Sequence, residues 1–152
     1  MDFLTIADAL ADRYDPTVVT PPTGFKDITT STARLPNNIP NTPFVIVWAD
    51  NGELNYLKKS GVREGDHEFL VNFYYSKAEG DAPRQIEALL SWLGVLIDQL
   101  HGQPQLGLGG NPVMKAFVMN WKLGTLVYGG TTYHGITLTV HVWTQDNVTW
   151  TL

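Results

Sequence analysis

Apolar residues recur along this chain with two different periods, and the switches between them mark its elements. Phe3, Ile6, Ala7 and Leu10 fall at helical spacing, with Asp8 and Asp12 on the other side. This predicts an amphipathic helix over Phe3–Tyr14, capped by Asp2 and ended by Pro16. Phe44–Ala49 (FVIVWA) reads as a buried strand. Asp50-Asn51-Gly52 reads as a hairpin turn, because Asn-Gly tolerates positive φ, and Glu53–Lys58 as the return strand. Leu54, Tyr56 and Lys58 then share one face, and Gly61–Asp66 reads as a further polar turn. In His67–Ser76, Phe69, Val71 and Phe73 face one way and Leu70, Asn72 and Tyr74 the other.

The period then changes back. Gly80 and Asp81 break the strand, Asp81 is a good N-cap, and Pro83 suits the first helical turn. A helix is expected from Ala82 to about His101, stopped by Gly102. Gln103–Pro112 is a glycine-rich loop, and Met114–Tyr128 a strand with Gly124 as a bulge or bend. Tyr128–Gly135 reads as a turn. Ile136–Trp143 alternates, with Ile136, Leu138, Val140 and Val142 inward and Thr137, Thr139, His141 and Trp143 outward. Val148–Leu152 could add a short strand.

These elements predict an α+β fold: a mainly antiparallel β-sheet with an N-terminal helix and one long helix packed on it. The 152 residues make one domain with a sizeable core. Residues 16–43 interrupt it. Thr17–Thr42 holds Pro21, Pro22, Pro36 and Pro40, with Pro43 just beyond, and few large apolar groups. Proline removes donors and fixes φ, so this segment is looped or extended. Two readings stand: a floppy excursion, or an arm that orders against a neighbouring subunit.

The long helix is apolar nearly all round. Ile86, Leu89, Leu93, Leu96, Ile97 and Leu100 form one stripe expected to cover the sheet, while Leu90, Trp92 and Val95 lie partly outside it. Burying one such side chain is worth roughly 1.5–3 kcal/mol, so something should cover those three. The cover comes from the rest of the chain or from a second copy. Five tryptophans, with Trp143 and Trp150 at outward positions, favour the second copy, since aromatics are enriched at interface cores.

Charge and chemistry narrow the function. A net charge of −5 argues against coating nucleic acid and against binding an anionic membrane. There are no cysteines, hence no disulfide framework and no thiolate nucleophile or metal ligand, which fits a reducing compartment. The N-terminus lacks the basic and apolar runs of a signal peptide, and no stretch is apolar for long enough to span a bilayer. His67, His101, His134 and His141 show no metal-ligand spacing. His101 suits a helix C-terminus as a cation. Gly107–Gly110 is followed by neither Lys-Ser/Thr nor a helix, so it is no phosphate loop. No G-x-S-x-G occurs, and Glu64 and Asp66 fall in the expected polar turn. The expectation is a protein that is not an enzyme and holds no cofactor or metal.

The order of elements resembles that of the tail terminator, or tail completion, proteins of long-tailed bacteriophages. The resemblance lies in an N-terminal amphipathic helix (FLTIADALADRY), a loop, a hairpin (FVIVWADNGELNY), a strand running into a long helix (FLVNFYYSKAEGDAPRQIEALLSWLGVLIDQL) and C-terminal strands (KAFVMNWKLGTLVY and ITLTVHVW). It covers most of the chain. It implies a structural virion protein, a homo-oligomeric ring, usually hexameric, that caps the tail tube and joins it to the head. Its partners would be the tail tube protein, a head-neck connector protein and copies of itself, with no membrane involved. Assembly would take place in the host cytoplasm and the finished location would be the tail-neck junction of the virion. DNA would pass through the lumen without specific binding, which suits a negative chain. Expected subunit contacts are Leu90, Trp92, Val95, Trp143 and Trp150, with the proline-rich arm. The expected tube or lumen contact is Leu106, Gly107, Leu108, Gly109 and Gly110. The long Thr17–Thr42 segment leaves open another phage neck or baseplate protein, and the residues alone leave open a monomeric ligand- or peptide-binding module.

Overall fold

The computed structural model describes residues 1–57, 61–79, 82–109 and 112–148. Two helices and five strands follow one another as α1 (Phe3–Asp12), β1 (Thr30–Thr32), β2 (Phe44–Leu57), β3 (Val62–Lys77), α2 (Ala82–His101), β4 (Val113–Tyr128) and β5 (Thr131–Asn147). The strands form one sheet in the order β1-β2-β3-β5-β4, parallel between β1 and β2 and antiparallel elsewhere. The α+β architecture read from the pattern is the one found.

The four long strands outrun the expected ones. The two central partners, β3 and β5, run 16 and 17 residues and pair from Val62↔Asn147 to Lys77↔Tyr133. Asp50-Asn51-Gly52 is not a turn: β2 continues through it, with only a bulge between Ala49 and Asn51. Likewise Gly61–Asp66 is not a polar turn; from Val62 it is strand, paired with Leu57 and the residues before it. The β4–β5 turn shrinks to Gly129 and Gly130, both at positive φ. Gly124 pairs regularly with Gly135, and the irregularities of β4 fall instead between Val113 and Lys115 and between Val118 and Asn120. Of the expected last strand, Val148–Leu152, only Val148 is among the described residues; it lies beyond β5, its amide donating to the Gly61 carbonyl at 2.6 Å.

One face of the sheet carries the main core. Val45, Val47, Phe69, Val71, Phe73, Ile136, Leu138, Val140 and Val142 are buried there under α1 and α2. Asp2 caps α1 by accepting from the amides of Leu4 and Thr5 at 2.9 and 3.3 Å. The Tyr14 hydroxyl, just after α1, donates to the carbonyl of Leu96 at 2.9 Å and so ties the two helices together. Along α2 the buried stripe is Leu89, Trp92, Leu93, Leu96 and Leu100. Ile86, expected in that stripe, is exposed, and Trp92, expected outside it, is fully buried. Its ring lies 4.9 Å from that of Phe73 and 6.4 Å from that of Phe25.

Phe25 belongs to the proline-rich segment, which packs on its own chain at several points. Val19 and Ile28 sit in the main core. The chain then turns the sheet edge as β1, where Ser31 donates to the Ala11 carbonyl at 2.6 Å. On the opposite face Ile39 joins a second cluster with Phe44, Ile46, Tyr74 and Tyr133, and Tyr128 donates to the Pro36 carbonyl. Each anchor draws part of the loop out of water, which offsets the entropy of ordering it.

Trp92→Ala should therefore destabilise the chain by about 3–5 kcal/mol, while Leu90→Ala should stay within about 0.5 kcal/mol. Urea unfolding followed by circular dichroism measures both. Equal effects would show that α2 packs the other way round.

Candidate functional site

Of the residues singled out in the sequence, the structure keeps some at the surface and withdraws others. Leu90 is 53% exposed on the outer side of α2. Trp92 is 0% exposed and cannot reach a neighbour, because its own sheet and loop enclose it. Val95 is half-buried against the main core. Trp143 is 46% exposed on the sheet face away from the helices, edge-on to Phe117 at 5.2 Å and below the Lys115 ammonium at 5.9 Å. Trp150 and Gly110 lie outside the described residues. In the glycine-rich loop Leu106 is buried and Leu108 packs on the core, so neither is presented as a contact; Gly107 and Gly109 are exposed. Leu106 adopts φ 56°, a left-handed conformation costing a branched side chain roughly 1–2 kcal/mol, offset by burying that side chain.

Sheet edges are natural sites for contact between copies, but sequence reasoning did not place them on particular residues. β1 covers β2 only from Phe44 to Ile46. From Asp50 to Asn55 β2 has no strand on its outer side among the described residues, and Leu54 is exposed there. On the other side β4 pairs only with β5. Its first half is nonetheless capped: the amide of Ala116 donates to the Pro104 carbonyl at 2.6 Å, and that of Val118 to Nε2 of His101 at 3.3 Å. His101 thus serves as an acceptor for an edge amide where the helix dipole suggested a cation. Beyond those caps, Asn120 to Tyr128 has no second strand among the described residues, and Trp121 and Val127 are exposed along it. An exposed tryptophan and valine in a strand with few charges is the signal that could have found this edge.

The sheet face away from the helices is polar towards the end that α2 does not reach. Asp66 and Glu68 point there from β3; Asp66, expected with Glu64 in a polar turn, is in the strand. His141 stands between them, Nδ1 at 2.9 Å from Asp66 and Nε2 at 3.2 Å from Glu68. The ring hydrogen-bonds Asp66 through Nδ1 and lies within ion-pair distance of Glu68 through Nε2, so it bridges β5 to β3. His134 lies seven residues from His141 on the same strand and hence on the other face, so the two cannot share a metal. Among the described residues no three His, Asp or Glu side chains converge as a metal site. A cleft of about 440 Å³ beside this cluster is lined by Glu53, Glu64, Asp66, Met114 and Trp143, a setting suited to a cationic or amphipathic group. Among the described residues no helix is long and apolar enough to cross a membrane.

On the helix face at the same end, His67 is 4% exposed and lies flat against its own sheet. Gly52 and Gly65, its neighbours across and along the strands, leave room for the ring: a Cβ on either would collide with it. Nε2 of His67 is 3.0 Å from the Thr144 hydroxyl, and the Phe3 ring meets the imidazole edge-on at 4.9 Å. This stack seats the N-terminus of α1. Arg63 forks onto Asp146 beside it and holds that carboxyl below its usual range.

No protein-family model matches the chain, and no curated protein matches it significantly.

Two outcomes follow from the histidine stack. Gly65→Ala should cost about 1–3 kcal/mol, because the added methyl displaces His67 or Thr144; urea unfolding measures it, and an unchanged midpoint would mean the ring has slack. Burial pushes the His67 pKa below its ordinary value of 6.5, with Asp66 opposing. A depressed folded pKa means the unfolded chain binds the extra proton first. Stability is then full above about pH 6.5, falls as pH drops through that value, and levels off below the folded pKa. The fall in urea midpoint between about pH 7.5 and about pH 5 should be smaller in His67→Gln than in the parent protein.

Proposed function

We propose that this chain is a structural subunit that closes with its own copies into a ring, and that the ring caps a bacteriophage tail tube at its junction with the head. The observation that carries the reading is the pair of half-open sheet edges on opposite sides of one subunit, Asp50–Asn55 and Asn120–Tyr128. Two different surfaces on opposite sides suit head-to-tail contacts, which generate rings when the rotation closes. Exposed Trp121 and Val127 on one edge and Leu54 on the other supply apolar area for such a contact. The order of elements that resembles the tail terminators supports placing the ring at the tail-neck junction, with the tube protein and a head-neck connector as its neighbours.

The charge supports the same reading. Glu53, Glu64, Asp66 and Glu68 share the sheet face away from the helices, against Lys115 and Lys122. Turned inward, that face gives a lumen along which a phosphate backbone slides without adsorbing.

Light scattering on the purified protein at tens of micromolar, with negative-stain microscopy, tests this. The expected result is a whole-number multiple of 16.9 kDa and annular particles with an open centre wide enough for duplex DNA. A monomer or a closed dimer overturns it; a monomer would turn attention to the acidic, tryptophan-walled cleft as the site of a stand-alone binding module.

A further inference from the structure

Resting on the ring reading, we infer that β4 of one copy, from Asn120 to Tyr128, joins antiparallel to β2 of the next copy, from Asp50 to Asn55. Direction comes first. Strands β2, β3, β5 and β4 alternate in direction, so the two outer ones run opposite ways and a sheet continued head-to-tail brings them together antiparallel. Backbone groups along both segments lack a second strand among the described residues, and strand addition supplies one.

Side chains then match on both faces. On β4, Trp121 pairs with Leu138 and so faces the helix side, as does Val127; Lys122 pairs with Thr137 and faces the open side. On β2, Leu54 pairs with Gly65 on the helix side and Glu53 with Asp66 on the open side. Setting Trp121 opposite Leu54 of the next copy puts Lys122 opposite its Glu53. One register therefore gives an apolar contact on one face and an ion pair on the other.

Charge also rejects the alternatives. Strand β4 carries Lys115 and Lys122 and no acid, whereas β2 carries Asp50 and Glu53 and no base; Lys58 and Lys59, next in the chain, lie outside the described residues. Pairing β4 with β4 or β2 with β2 would set like charges side by side. The caps agree as well. In this register Val118, capped by His101, falls opposite Leu57, where β2 of the next copy ends. At the other end β4 runs out at Tyr128 as it reaches the stretch of β2 that β1 covers.

The chain has no cysteines, so introduced ones report cleanly. In a protein carrying both Lys122→Cys and Glu53→Cys, mild oxidation should produce a ladder of covalent multimers ending at ring size. The pair Lys115→Cys with Glu53→Cys, in the capped half, should give at least tenfold less. Light scattering on the reduced proteins runs alongside. Rings without a ladder overturn this joint and leave the ring reading standing; monomers throughout overturn both. Charge exchange is the second arm. Lys122→Glu alone and Glu53→Lys alone should each weaken assembly about tenfold, and mixing the two variants should restore it, because each then supplies the edge the other needs. No loss in either single variant, or no rescue on mixing, overturns the pairing.

Discussion

An open β-sheet has two edges, and every backbone group along them needs a partner, a cover or water. Much of this molecule can be understood as a response to that constraint. A three-residue parallel strand covers one end of β2, and the connection after α2 caps one end of β4 through His101 and Pro104. Both devices stop halfway. What they leave is a pair of uncovered segments at diagonally opposite corners of the sheet, rather than a bare edge on each side.

The halfway coverage follows from lengths. Strands of 16 and 17 residues run about 50 Å, while the 20 residues of α2 reach about 30 Å. One helix cannot shield such a sheet. The short α1 and the proline-rich segment extend the cover, the latter crossing β1 to reach the second face. Trp92 is the place where these layers meet, touching the sheet through Phe73 and the loop through Phe25. Its indole Nε1 has no hydrogen-bond partner, a local cost outweighed by the apolar area it removes from water.

Element order and core were legible because they rest on periodicity. Val45, Val47, Phe69, Val71, Phe73 and the Ile136–Val142 alternation are all core, as their spacing requires. Boundaries failed where local chemistry was overruled by pairing. Asp50-Asn51-Gly52 has every mark of a turn, yet thirteen residue pairs with β3 hold β2 extended through it, and a bulge absorbs the mismatch. Gly52 is needed there for another reason, the ring of His67 above it. Neither that use nor the partners of His141 could be read from one strand, since both depend on register across the sheet. Trp92 was misplaced because the stripe was counted from Ile86; starting from Leu89 gives the face that is buried.

The diagonal offset bears on how copies could close. If uncovered corners are to meet, each subunit must shift along the strand direction relative to its neighbour. In a flat array that shift would accumulate into a filament. In a closed one it becomes the stagger that any cylinder of tilted strands requires, with strand number, tilt and shear tied together. The caps at His101 and β1 would then act as stops: they set how far one subunit slides past the next, and hence the tilt. A ring built this way needs no residue dedicated to counting copies. In such a ring the number would follow from the twist of the sheet and the length of edge left open, so lengthening or shortening either cap would change its size before it changed the fold of the subunit.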